Sequence, residues 1–74
     1  MSITNCAQET INRANRDAEI EPDVLRILRE IRDKRVVGNK AHRYLGWAQA
    51  KIHSTGLVTL DEFREINRRF GVDD

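Results

Sequence analysis

The chain is poor in cysteine, proline and aromatic residues, with one cysteine, one proline and four aromatic side chains in 74 positions. The single cysteine, Cys6, excludes an internal disulfide and any zinc site built from several cysteines, so we expect a reducing, cytoplasmic location. The few aromatic residues and a hydrophobic content of 39% favour an aliphatic helical core over a sheet. The sequence therefore predicts an all-α protein.

Long hydrophobic runs are also lacking. No segment has the ~20 consecutive apolar residues that cross a bilayer, and the first ten residues lack the basic and apolar regions of a secretory signal. We therefore expect no association with a membrane. Charge of one sign does not dominate either, since 13 Lys and Arg face 12 Asp and Glu. The net charge thus gives no general reason to expect nucleic acid as a partner.

The length sets the scale of the domain. A chain of 74 residues lies near the size at which one hydrophobic core only just outweighs the conformational entropy of ordering the chain. No repeat or low-complexity linker divides it. We predict a single helical domain over residues 1–74, a bundle of three or four helices in which the last two form a capped helical hairpin.

The first two predicted helices differ in the strength of their apolar faces. The first face is narrow and consists of Ile3, Ala7, Ile11, Ala14 and Ala18. Because alanine buries little area, we expect this helix to fray or to order only on binding. The second helix is predicted to begin at Pro22 and has a wider face, made of Val24, Leu25, Ile27, Leu28 and Ile31. Its exposed side offers i,i+4 charge pairs, namely Arg26 with Glu30, Arg29 with Asp33 and Glu30 with Lys34.

The boundary between the second and third helices is predicted from Gly38, which adopts a left-handed conformation readily, and from Asn39 as the following N-cap. The third helix should span about residues 40–54. Its buried face is predicted to contain Ala41, Tyr44, Leu45, Ala48 and Ile52. A glycine in mid-helix is less favourable than alanine by ~1 kcal/mol, so Gly46 predicts close approach of another backbone.

Residues 54–66, STGLVTLDEFREI, allow two interpretations. With Gly56 at the sixth position of a calcium loop, Glu62 falls at the twelfth, but Lys51 occupies the first position, where an oxygen ligand is required. The alternative is a helix start, in which Thr59 is the N-cap and Glu62 completes a capping box. Val58 and Phe63 would then form a hydrophobic staple. We favour the helix start and expect no bound metal or cofactor.

The fourth helix is predicted to begin at Leu60. Its inward face should contain Phe63, Ile66 and Phe70. Gly71 is expected to provide the C-terminal cap, with Val72 folding back on Ile66.

The segment HRYLGWAQAKIHSTGLVTLDEFREINRR, residues 42–69, contains an aromatic-Leu-Gly-aromatic core, a glycine turn, a threonine and acidic capping box, and a closing Asn-Arg. These features are formed by Tyr44, Leu45, Gly46, Trp47, Gly56, Thr59, Asp61, Glu62, Asn67 and Arg68. The segment resembles small uncharacterised proteins encoded by bacteriophages and prophages. The resemblance covers under half of the chain and implies no activity; it does imply a protein that binds and redirects one host component.

Trp47 is the most informative candidate for contact with a partner. On a helical wheel it flanks the buried face, and Lys40, Arg43 and Lys51 project from the same side. A tryptophan among cations suits an acidic protein surface, because it offers a large rigid contact while the cations steer the partner. The alternative interpretation is that Trp47 closes the edge of the core, covered by lysine stems.

A second basic cluster lies late in the fourth helix and consists of Arg64, Arg68 and Arg69. These arginines would form the rim of a protein-binding site, or, with the cations of the third helix, would contact nucleic acid. They also complement the helix dipole without any function. A helix-turn-helix is not indicated, because the connection is long and Glu62 falls where an apolar packing residue belongs.

Catalysis has little support in the sequence. His42 and His53 lie three helical turns apart, too far to share a metal or a proton. Cys6, near a helix N-terminus, would be somewhat acidified at most, and a loosely held, unreactive thiol is the simpler expectation. We predict that the protein is not an enzyme.

The sequence thus predicts a small protein of phage type that binds a host protein or defence complex with an acidic surface and modulates or inhibits it. A nucleic-acid-binding regulator that uses the basic clusters of the third and fourth helices is the alternative. A third interpretation is a homodimer, in which the apolar stripe of the second helix pairs with its twin.

Overall fold

The described part of the chain forms four helices, within the predicted range of three or four. The computed structural model describes residues 2–17, 20–56 and 58–72. The helices are α1 (Ile3–Asp17), α2 (Pro22–Arg32), α3 (Gly38–His53) and α4 (Leu60–Arg69), and the described residues contain no strand. The predicted all-α bundle is therefore confirmed. Among these residues, no helix combines the length and the apolar character needed to cross a membrane.

Helix α1 packs against each of the other three helices. Its inward side chains are fully or almost fully buried, and they are Cys6, Ala7, Thr10, Ile11 and Ala14. Ser2 ties the start of α1 to the end of α4, because its backbone N–H donates to the carbonyl of Phe70 at 2.8 Å. The prediction of a weakly packed first helix is wrong, since its small side chains let three neighbours approach closely. Ala18, also predicted for this face, lies outside the described residues.

Helix α2 begins at Pro22 as predicted. Val24, Leu28 and Ile31 are buried against the rest of the domain, so the stripe that would pair with its twin in a homodimer is already covered within one chain. The charge pairs differ from the prediction, because Arg26 lies 3.8 Å from Asp23, one turn earlier in α2, rather than contacting Glu30.

The end of α2 is formed by Lys34 rather than by Gly38. Lys34 has a φ of 64°, its N–H donates to the Ile31 carbonyl at 3.1 Å, and the next N–H donates to the Glu30 carbonyl at 2.9 Å. This pattern of bonds is a Schellman motif. Gly38 also has a positive φ, 67°, but it opens α3, with Val37 as the N-cap. The predicted N-cap role of Asn39 is therefore wrong, because α3 begins one residue before it.

Helix α3 buries most of the predicted face, namely Ala41, Leu45, Ala48 and Ile52, while Tyr44 is half-buried. Gln49 is also buried, which the apolar pattern does not indicate. Gly46 is exposed, and a Cβ added there would meet no atom within 4 Å. The predicted close approach of another backbone at this glycine is wrong.

Helix α4 begins with the predicted cap. The Thr59 hydroxyl accepts a hydrogen bond from the Glu62 N–H at 3.1 Å, and both Val58 and Phe63 are buried. The Glu62 carboxylate instead accepts a hydrogen bond from Arg13 Nε of α1, at 2.8 Å. The capping box is thus only half formed, and its acidic residue links α4 to α1.

The C-terminal end of α4 follows the prediction. Gly71 has a φ of 72°, and its N–H donates to the Arg68 carbonyl at 3.1 Å. The Val72 N–H donates to the Asn67 carbonyl at 2.7 Å, and Val72 is buried in the same core as Ile66.

A buried polar cluster joins α1, α3 and α4. Gln49 Nε2 donates to Asn67 Oδ1 at 2.8 Å, and Asn67 Nδ2 donates back to Gln49 Oε1 at 3.1 Å. Gln49 Nε2 also donates to Thr10 Oγ1 at 3.2 Å, while the Thr10 hydroxyl donates to the Cys6 carbonyl at 2.9 Å. No buried side-chain nitrogen or oxygen of the described residues lacks a partner. We call these four residues the amide cluster.

Replacement of Gly46 by alanine should stabilise the protein. The added methyl group meets no neighbour, and alanine restricts the unfolded chain, so we expect a gain of about 0.5–1 kcal/mol in the free energy of unfolding. Urea denaturation measures the change. The reverse substitution at another exposed position of α3, Ala50→Gly, is the matched control and should lose a similar amount. A loss of stability in Gly46→Ala would contradict the open environment of this glycine.

The amide cluster predicts strong coupling between Gln49 and Asn67. Gln49→Met removes both hydrogen bonds between the two amides and should destabilise the protein by about 1–3 kcal/mol. In the double variant Gln49→Met/Asn67→Leu no amide is left unpaired, so its loss should be smaller than the sum of the single losses by about 1 kcal/mol.

The control for this double-mutant cycle is Asn12→Ala. It removes an exposed hydrogen bond of 2.9 Å, which Gln8 Nε2 donates to Asn12 Oδ1. This variant should change the free energy of unfolding by less than about 0.5 kcal/mol. Additive single losses at Gln49 and Asn67 would show that the cluster does not act as a unit.

Candidate functional site

An open groove lies between α2 and α3. It has a volume of about 440 Å³, and its lining residues are Asp23, Arg26, Ile27, Arg43, Tyr44 and Trp47. Its walls come from the first half of α2 and from the middle of α3. We call this feature the α2–α3 groove.

Trp47 is 44% exposed in the α2–α3 groove. Tyr44, one turn earlier, is half-buried and packs against the core, as Ile27 does from α2. Lys51 Nζ lies over the Trp47 ring, which is the lysine cover that the alternative interpretation of Trp47 expects, so that interpretation stays a prediction beside the partner contact. Exposed aromatic surface beside half-buried apolar side chains is typical of a contact site for another molecule.

Lysines cover the aromatic rings of this surface. Lys51 Nζ lies 5.9 Å from the centroid of the Trp47 ring, and Lys40 Nζ lies 5.5 Å from the centroid of Tyr44. Both distances fall within the range of cation–π attraction. The structure therefore places Lys51 beside Trp47 and Lys40 beside Tyr44, and it places Arg43 with Trp47 in the groove itself.

In the part of the chain that the structure describes, the cations of α3 have no acidic partner. Within the described residues, no carboxylate lies in ion-pair distance of Lys40, Arg43 or Lys51, and the sequence of α3 contains no Asp or Glu. Arg26 differs, because it is paired with Asp23 in the same groove. The positive charge of α3 is therefore available to an incoming anionic group.

The arginines of α4 have a different environment. Arg64 lies 3.4 Å from Asp61 and Arg68 lies 3.6 Å from Glu65. Arg69 lies 4.0 Å from Glu9 of α1. None of the three lines the α2–α3 groove, whose walls come from α2 and α3 only. The structure thus does not bring this cluster together with Trp47.

A second groove, between α1 and α4, carries both signs of charge. It has a volume of about 510 Å³ and is lined by Glu9, Arg13, Arg16, Asp61, Glu62, Glu65, Ile66 and Arg69. Arg13 Nη2 lies 2.7 Å from Glu62 Oε2 across it. Because cations and carboxylates contact one another here, the groove offers little net attraction to a charged ligand.

The side chains of the calcium-like segment are engaged within the protein. The Thr55 hydroxyl donates to the Ile52 carbonyl at 2.7 Å, and His53 Nδ1 lies 2.9 Å from the Val58 carbonyl oxygen. Glu62, the residue at the bidentate position of the loop, contacts Arg13. These bonds stabilise the connection between α3 and α4, and they engage the groups that a calcium loop would use as ligands.

Cys6 is buried and lies in the amide cluster, where its thiol donates to Asn67 Oδ1 at 3.1 Å. Burial raises the pKa of the Cys6 thiol to about 11; the hydrogen bond with Thr10 opposes this and the charge of Glu9 adds to it. The raised pKa agrees with the expectation of an unreactive thiol and excludes the slight acidification, because removal from water outweighs the favourable polar contacts. The expectation that this thiol is loosely held is wrong, since Cys6 is buried.

Sequence reasoning missed the α2 wall of the groove. Ile27 was expected on the buried face and Arg26 in a pair with Glu30, whereas both line the groove. A signal is present in the local charge: residues 26–43 contain seven Lys and Arg but only two Asp and Glu. This excess at the α2–α3 turn is hidden by the near-zero net charge of the whole chain.

Comparison of the chain with protein-family models, curated proteins and solved structures finds no match.

Burial of the Cys6 thiol predicts a loss of stability at alkaline pH. The thiol pKa rises from its ordinary 9.0 to about 11 on folding, so the unfolded chain releases this proton first. The contribution is complete below pH 9.0 and is lost as the pH rises toward 11. Urea denaturation of wild type and Cys6→Ala across this range should show a shrinking difference between them, because other titrations are common to both. A constant difference would contradict the prediction.

Proposed function

We propose that the protein binds another protein through the α2–α3 groove and is not an enzyme. The observation that carries the proposal is Trp47, 44% exposed between cations that have no acidic partner in the described residues. Tryptophan and arginine are the side chains that most often dominate binding energy at protein interfaces. Lys40, Arg43 and Lys51 favour an acidic surface on the partner.

A protein partner is favoured over nucleic acid by the charges around each basic cluster. The arginines of α4 each contact a carboxylate, so a phosphate backbone would have to compete with these intramolecular pairs. Lysines already lie over Tyr44 and Trp47, whereas nucleic-acid bases stack on open aromatic faces.

The resemblance of residues 42–69 to small phage proteins supports a partner from a bacterial host, such as an enzyme or a defence complex that the protein modulates or inhibits. The segment of resemblance includes Trp47 and most of α3 but excludes the α2 wall of the groove. We therefore propose that α3 carries the general contact and α2 adapts the groove to one partner.

Trp47→Ala should lower the affinity for the partner at least tenfold. The test is capture of partners from bacterial lysate by tagged protein, with and without nuclease, followed by titration of the identified partner. Leu60→Ala is the matched control, because Leu60 is a similarly exposed apolar residue, at 49%, outside the groove. Its affinity should stay within twofold of wild type.

Charge reversal provides a second comparison within the same experiment. Lys40→Glu with Lys51→Glu should weaken binding, whereas Arg64→Glu with Arg68→Glu should leave it nearly unchanged. A partner that tolerates Trp47→Ala within twofold would contradict the proposal. Loss of the captured material on nuclease treatment, together with sensitivity to the α4 arginines, would establish the nucleic-acid alternative instead.

A further inference from the structure

We propose that the partner of the α2–α3 groove is an amphipathic helix, with apolar side chains toward Tyr44 and Trp47 in the groove and carboxylates toward Lys40 and Lys51, which lie beside these rings on α3. This inference rests on the proposed function, because it specifies the partner of the same groove.

The spacing along α3 defines a straight stripe. Lys40, Tyr44, Trp47 and Lys51 follow one another at intervals of four, three and four residues, which places them on one side of the helix. The order along the stripe is cation, aromatic, aromatic, cation, and its ends lie about 16 Å apart at the helical rise per residue. A partner therefore meets two apolar positions between two positive ones.

A partner helix that lies along this stripe has the same rise per residue and the same number of residues per turn as α3. Two carboxylates eleven positions apart on the partner helix lie on one face, about 20° from exact alignment, and match Lys40 and Lys51. Apolar residues four and seven positions after the first carboxylate fall opposite Tyr44 and Trp47. The pattern on the partner is thus the complement of the pattern on α3.

The all-helical environment of the groove favours a helix over an extended peptide. An extended peptide gains affinity mainly by pairing its backbone with an exposed sheet edge, and the described residues contain no strand. A helix satisfies its own N–H and C=O groups and needs only side-chain contacts. The groove between α2 and α3, with Ile27 on one wall and Trp47 on the other, is the geometry of helix-in-groove recognition.

The lysines over the rings give the groove a specific response to acidic residues. In the free protein each ammonium lies against an aromatic face at 5.5–5.9 Å. A carboxylate on the partner attracts the ammonium outward and so uncovers the ring for an apolar side chain. Charge and apolar contact are therefore coupled, and a partner with only one of the two features gains less from the groove.

The test uses the full chain and four synthetic probes. The first is a helix-forming peptide with Glu at positions i and i+11 and Leu at i+4 and i+7. The second has the same composition with the second Glu at i+9, on the opposite face of the helix. The third carries a central proline that breaks the helix, and the fourth is a single-stranded oligothymidine with more negative charge. Binding is followed through the fluorescence of Trp47, the single tryptophan of the chain.

We expect the first peptide to bind at least tenfold more tightly than each of the other probes. Lys40→Ala and Lys51→Ala should each reduce this preference, because each change removes the lysine that one of the two carboxylates would contact. Leu60→Ala, outside the groove, should retain it. Equal binding of the proline-containing or out-of-register peptide, tighter binding of the oligothymidine, or no binding of the first peptide would overturn the inference.

The two proposals fail in different ways. If Trp47→Ala abolishes binding of the natural partner while the peptides show no preference for register, the groove is the binding site and the helical form of the partner is wrong. If Trp47→Ala leaves the natural partner bound, the proposed function itself is wrong.

Discussion

The reciprocal hydrogen bonds between Gln49 and Asn67 are the constraint on which the rest of the structure depends. Through Thr10 and Cys6 they connect three of the four helices. An amide buried without a partner is strongly unfavourable, so α3 is held in the one rotation that keeps Gln49 inward. Trp47 precedes Gln49 by two positions and faces about 160° away. The exposure of Trp47 thus follows from the burial of Gln49 on the other side of the same helix.

The amide cluster also explains how a first helix with so little apolar area joins the core. Cys6 and Ala7 are fully buried, and their small side chains allow the backbone of α1 to lie close to its neighbours. Polar contacts then replace the missing area: the amide cluster inside, and the bond from Arg13 to Glu62 at the surface. In a chain of 74 residues, where a hydrophobic core alone gives little margin, such satisfied polar contacts select one arrangement of the helices.

Local patterns predicted the features that depend on neighbours in sequence. The starts of α2 and α4, the Thr59 cap and the end at Gly71 each require only residues within a turn or two. The misses at Gln49 and Glu62 involve distant partners. In the sequence, Gln49 is typical of an exposed residue, because its partner Asn67 lies on another helix. Glu62 fits a capping box in the sequence, because Arg13, the residue it contacts, lies in the first helix. The end of α2 is a local feature that the sequence reasoning placed at Gly38, because glycine adopts a positive φ more readily than Lys34 does. The groove residues of α3 lie on one helix, so helical periodicity predicted that they share a side. The groove residues of α2 could be placed only when the packing of α2 against α3 was known.

Positive charge acts as a recognition feature only where the protein leaves it unneutralised. Arg64 and Arg68 each have a carboxylate three residues earlier in α4, so their charge is largely balanced before any partner arrives. Helix α3 contains no acidic residue at all, and its two lysines lie over aromatic rings instead of beside carboxylates. The two clusters contain similar basic residues but differ in whether a carboxylate of the same helix lies beside them. For this reason we propose the contact surface on α3 rather than on α4.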